Sequence, residues 1–132
     1  MRQHLQQLRA AGVTLPLLKF TPTLPDDLRE AIDAGITLSV GDEDAILAAR
    51  ATAAEAGRVA DVHLAVDTGM RRVGAEPSDV ERLAALLAAS PSLRVGGIFT
   101  HLPISDVVTG AEFTRAQLAT FDDAVAAAES VL

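Results

Sequence analysis

Short apolar runs of strand length alternate along this chain with longer stretches of helical spacing, and that alternation constrains the fold most. The runs are Leu15–Phe20, Ile36–Val40, Val62–Val66 and Val95–Thr100. Ahead of the first, residues 2–11 place Leu5 and Leu8 on one helix face, and Gly12 supplies a stop. Thr23-Leu24-Pro25-Asp26-Asp27 reads as a helix start, with Thr23 or the acidic pair able to cap free N–H groups. That helix carries Leu28, Ala31 and Ile32 on one face and stops at Gly35. Asp42-Glu43-Asp44 opens an alanine-rich helix that runs to about Gly57, its acidic residues at the positive end. A further helix spans Pro77 to Ala89. The last runs roughly from Glu112 to Val131, with Phe113, Leu118, Phe121 and Val125 available as an apolar face.

The resulting order, one helix followed by four strand–helix units, predicts a parallel sheet covered by helices. Within Val62–Val66 the period of two sets Val62, Leu64 and Val66 toward the helices and His63, Ala65 and Asp67 on the opposite face. Periodicity does not separate a small open α/β sheet from an arc of a closed barrel. Four strands are half of the eight in a (β/α)8 barrel. At this point both architectures stand.

Composition narrows the function. With 132 residues, 49% of them hydrophobic, the chain is expected to form one domain, residues 1–132, with a real core. Eleven basic against eighteen acidic residues leave a net charge of -7, which argues against a nucleic-acid footprint. There is no cysteine, so thiolate metal sites and cysteine nucleophiles are excluded. The N-terminal stretch is polar, without the apolar core of a signal peptide, and no apolar run approaches the ~18 residues of a membrane span. The expected place is the cytoplasm, with no membrane partner. Lys19 is the one lysine, and tyrosine is absent.

In parallel α/β folds ligands gather at the carboxyl ends of the strands. Two loops there carry polar chemistry. One is Asp67-Thr68-Gly69-Met70-Arg71-Arg72-Val73-Gly74, where glycines permit a tight turn and Arg72 offers a rigid fork of donors to an anionic or phenolic oxygen. The other is Thr100-His101, a histidine at a strand end. Taken singly, each has an ordinary explanation as a solvated arginine or a packed histidine. His4 and His63 lean further that way. Neither GxGxxG, GxxxxGK[ST] nor HExxH occurs, and Asp42-Glu43-Asp44 reads as a helix cap; no metal site is expected.

Together the two loops are specific. Val62 to Gly74 closely resembles the Asp-Thr-Gly-Met signature of alanine racemases, and Gly97-Ile98-Phe99-Thr100-His101 resembles the family's later strand. Leu8–Gly12, Leu24–Leu28, Phe113 and Gln117–Phe121 look like the matching helices, so the resemblance covers essentially the whole chain. It implies a partial TIM (β/α)8 barrel of about four parallel strands and five helices, running from the second to the sixth helix of a racemase N-terminal domain. The family reaction is the interconversion of L- and D-alanine with pyridoxal phosphate, which supplies D-alanine to the cell wall.

By the same resemblance, Arg72 matches an arginine that contacts the cofactor's phenolic oxygen and helps place the substrate carboxylate. Met70 shares that wall, and His101 matches a histidine in the network beneath the cofactor ring. Two positions depart from the pattern. Ala65 stands where many members carry a lysine, often carbamylated, that holds the arginine, and Leu102-Pro103-Ile104-Ser105 replaces the usual residues after the histidine. The Schiff-base lysine belongs to the first strand and the second acid/base is a tyrosine; neither has a counterpart among these residues. Lys19 falls on the run that corresponds to the third strand of the family's barrel. The expectation is a chain with no catalytic residue of its own and no covalently bound pyridoxal phosphate. Three roles fit this: a fragment or truncated product of a racemase, a non-enzymatic half-barrel scaffold, or an enzyme completed by another chain. A homo-oligomer is expected, because the first and last strands would present raw edges.

Overall fold

The computed structural model describes residues 2–132, with side chains from residue 4 onward. In chain order the elements are α1 (Arg2–Ala10), β1 (Leu17–Lys19), α2 (Pro25–Asp33), β2 (Ile36–Val40), α3 (Glu43–Glu55), β3 (Ala60–Ala65), α4 (Val80–Ala88), β4 (Leu93–Phe99) and α5 (Ala111–Glu129). Single 3-10 turns at Pro77–Asp79 and Val108–Gly110 lead into α4 and α5.

The four strands form one parallel sheet in the order β1-β2-β3-β4. That order decides between the two architectures. A doubly wound sheet reverses direction at a switch point, whereas each strand here is added on the same side as the last. The packing agrees. Ile36, Leu38, Val40, Val62, Leu64 and Val66 form one face and are buried with Leu28, Ile32, Ile46, Leu83 and Leu87 of the helices. No such layer covers the other face, which carries Thr37, Ser39, His63, Ala65 and Phe99. The predicted alternation of Val62, Leu64 and Val66 is therefore realised.

The sheet curls toward that second face. Phe20, directly after β1, and Phe99, at the end of β4, meet edge to face with ring centroids 5.7 Å apart. Three strand spacings in a flat sheet are about 14 Å, so the contact requires an arc. At Gly96 a β-bulge shifts the pairing from Val62↔Val95 to His63↔Gly97. The His63 ring lies against this glycine pair: a Cβ on Gly97 would sit 3.0 Å from His63 Cε1. Bulges of this kind sharpen local bending.

Several boundaries differ from expectation. β1 is only Leu17–Lys19, with Leu15 exposed, whereas β3 and β4 each begin two residues early because Ala60↔Leu93 and Asp61↔Arg94 extend their ladder. Asp42 does cap α3, accepting from Ala45 N at 2.7 Å. Thr23 does not cap α2; its Oγ1 accepts from Lys19 Nζ instead, and Leu24 is the N-cap without a side-chain bond. The apolar set on α5 is also corrected. The helix buries Gln117, Ala124 and Ala128, while Phe113 and Leu118 stay exposed. Alanines let α5 pack closely on α4, and the larger side chains are left at the flanks.

Candidate functional site

The loop after β3 is a self-contained device. Asp67 Oδ1 accepts from Gly69 N at 2.9 Å and Arg71 N at 3.0 Å, turning the chain back on itself. The return is stitched to the strand end by Asp67 N→Ala75 O (2.9 Å) and Ala75 N→Ala65 O (2.8 Å). Gly74 sits at φ 117°, and a Cβ there would lie 2.7 Å from Asp67 N, so only glycine closes the loop. Asp67 thus acts chiefly as the organiser of the turn, a role its place in the motif did not disclose.

This loop presents two arginines in different ways. Arg71, itself at φ 62°, turns outward and pairs with Glu76 at 3.1 Å. Arg82 and Arg94 likewise meet Glu43 and Asp61. Arg72 meets no carboxylate among the described residues. It borders a cleft of about 590 Å³ at the carboxyl ends of the strands, shared with Phe20, Met70, Phe99, Thr100 and His101. A neighbouring hollow of about 280 Å³ is bounded by Arg72, Ala65 and Ser39. The small Ala65 side chain leaves that space beside the arginine open.

The structure therefore brings Arg72, Met70 and His101 to one cleft. The two loops are joined below it. Thr68 Oγ1 and Thr100 Oγ1 are 2.7 Å apart, and Gln117 Nε2 donates to Thr68 Oγ1 (3.3 Å) and to the His101 carbonyl (3.2 Å). Gln117 was legible only as part of a helix. A glutamine flanked by alanine and leucine carries no sequence signal that it will be buried.

Lys19 lies elsewhere. It pairs in register with Leu38, a helix-facing residue, and donates to Pro22 O at 3.0 Å and Thr23 Oγ1 at 3.3 Å. Partial burial lowers its pKa below the usual lysine value, against an opposing pull from Asp27. His63 faces the concave side but sits down the strand, against Gly96 and Gly97. His4 is exposed on α1. Asp42, Glu43 and Asp44 are occupied with the helix start and with Arg82, and among the described residues no group of three His, Asp or Glu side chains could hold a metal ion. Nor is any helix among them long and apolar enough to cross a membrane.

A curved parallel α/β sheet with donors gathered at its carboxyl end defines an arc of a (β/α)8 barrel with a cleft at its mouth. Comparison with known proteins names the family. The model of the alanine racemase N-terminal domain matches residues 3–131, and the chain belongs to that family. It is 46% identical over 125 residues to alanine racemase of Cutibacterium acnes, covering 95% of the chain and 33% of that protein. Among solved structures, alanine racemase of Clostridium difficile 630 superposes with a TM-score of 0.92 at 26% identity, over 98% of this chain and 34% of that one. The enzyme from D-cycloserine-producing Streptomyces lavendulae gives 0.87 at 33% identity, over 98% and 35%. The chain thus spans about a third of the length of these relatives.

Tested against pyridoxal phosphate, the donor set fits in part. Arg72, His101 and the Thr100 hydroxyl suit the oxygens of such a group, and the cleft is large enough for its ring. Among the described residues no lysine amine lines the cleft.

Proposed function

We propose that residues 1–132 form a single racemase-like unit that supplies one wall of a pyridoxal-phosphate-dependent alanine racemase site and is catalytically silent by itself. The observation that carries this is the convergence of Arg72, Met70 and His101 on one cleft while Lys19 points into the helix layer. When bound, pyridoxal phosphate supplies an electron sink that acidifies the α-proton of an amino acid. The chain's own residues hold and orient. Arg72 offers its fork to a phenolic oxygen or a substrate carboxylate, Met70 shapes the substrate side, and His101 lines the wall beneath the ring. Racemisation needs a proton-exchanging group on each face of the α-carbon, and these residues provide neither a tethering lysine nor a tyrosine.

The reading places the protein in the cytoplasm and includes association of chains through the sheet edges at β1 and β4, where unpaired backbone groups favour added strands. The test has two arms. Incubation with pyridoxal phosphate near pH 8, borohydride reduction and peptide mass mapping should find no adduct on Lys19, and no alanine racemisation should be measurable. An adduct on Lys19 or turnover by the chain alone overturns the silent reading. Light scattering should give a mass above the 13.7 kDa of one chain; a constant monomer mass over a tenfold concentration range removes the association.

A further inference from the structure

Among the described residues, Gln117 is the one amide side chain that the fold buries completely, at 1% exposure on the second turn of α5. Its orientation is fixed by chemistry. The His101 carbonyl can only accept, so the atom 3.2 Å from it must be the Nε2 donor, which also reaches Thr68 Oγ1 at 3.3 Å. That choice leaves Oε1 buried without a partner. Buried acceptors are rarely left unpaired, and each needs a reason. The reason lies in what the donors join: the loop after β3 that carries Arg72, and the end of β4 that carries His101. Thr68 and Thr100, 2.7 Å apart, complete the link. The same helix face seats Gly69, where a Cβ would come within 3.1 Å of the Phe113 ring and 3.5 Å of Gln117 Cγ.

The last backbone bond between the two segments is Val66 N→Phe99 O at 2.9 Å, at the base of the loops. β3 ends at Ala65 and β4 at Phe99, so Arg72 and His101 both lie beyond the ladder that aligns the strands. Their relative placement depends on contacts outside the sheet. We propose that Gln117 is a positioning residue: its buried amide clasps the Thr68–Thr100 pair to the His101 carbonyl and thereby sets the distance between the arginine wall and the histidine wall of the cleft. α5 is a suitable mount, since Ala124 and Ala128 anchor it in the core two and three turns further on. The functional part of this inference rests on the reading of Arg72 and His101 as ligand-facing.

The test compares Gln117→Leu and Thr68→Val with Leu87→Val, a core change at the far end of α4. Amide hydrogen exchange and pyridoxal 5′-phosphate titration, followed on the Met70 methyl resonance, are measured on each. Gln117→Leu is expected to speed exchange about tenfold at residues 68–71 and at His101 and Leu102, and to weaken cofactor binding about tenfold. Thr68→Val should do the same less strongly, and the double variant should add little, because both act on one network. Leu87→Val should lower the melting temperature without moving either readout. Unchanged exchange in Gln117→Leu, or equal loosening of both loops in Leu87→Val, overturns the clasp. If the unaltered chain binds no pyridoxal phosphate, the ligand-wall reading fails, and loop exchange alone decides whether Gln117 joins the loops.

Discussion

The two faces of the sheet obey different rules. On the convex face, rows of aliphatic side chains from β2 and β3 meet alanine-rich helices, and Leu38, Val62 and Leu64 have almost no exposure. On the concave face the same strands present Thr37, Ser39, His63 and Ala65, and Phe20 remains 68% exposed despite its contact with Phe99. Polar groups there are engaged locally: Ser39 Oγ donates to the Lys19 carbonyl, and Arg94 makes a paired contact with Asp61. Stability resides on one face, and the cleft bordered by Arg72 and His101 lies on the rim of the other. The lesson is that this arc holds its shape through its helices, and its concave face is free to serve a site.

The sharpest way to break that comparison is to empty the convex face. Leu64→Ala removes a fully buried side chain and should cost about 2–5 kcal/mol in urea unfolding, enough to unfold a marginal chain. Gly74→Ala comes next. Its Cβ would meet backbone 2.7 Å away at a positive φ, and a loss of about 1–3 kcal/mol is expected, with disorder at residues 67–75 visible in hydrogen exchange. Little loss would mean that the loop is not locked.

Phe20→Ala tests the concave side directly. The ring is mostly exposed, so the expected cost is only about 1 kcal/mol from the lost aromatic pair. A loss equal to that of Leu64→Ala would show that the concave face is core as well. The smallest effect belongs to Lys19. Its pKa is lowered in the folded chain, chiefly by burial, so the unfolded chain binds that proton more tightly. Stability should therefore carry a deficit at neutral pH that fades as pH rises from the folded-state value toward 10.5. Lys19→Met should flatten that alkaline rise in a pH series of urea midpoints; an unchanged slope would assign the rise to another group.

Much of this was legible residue by residue. The order of helices and strands, the two-residue period of Val62–Val66, the Asp42 cap and the glycine-bounded loop that carries Arg72 all follow from local preferences, which act within a few residues and need no distant partner. The double motif also located the cleft, because Arg72 and His101 each follow a strand whose end could be read.

Other features were decided only when the chain closed on itself. The sheet order, which separated a barrel arc from an open sheet, depends on which strands pair, and periodicity reports faces without naming neighbours. Lys19 faces the helix layer because its register with Leu38 sends it there. Phe113 and Leu118 are exposed while Gln117 is buried because α5 presents its small residues to α4 and its amide to two loop ends. Amphipathic spacing ranks side chains by hydrophobicity, but burial is set by how closely the backbones approach, and at Gln117 two acceptors from distant parts of the chain, Thr68 Oγ1 and the His101 carbonyl, outweighed the apolar preference of the core.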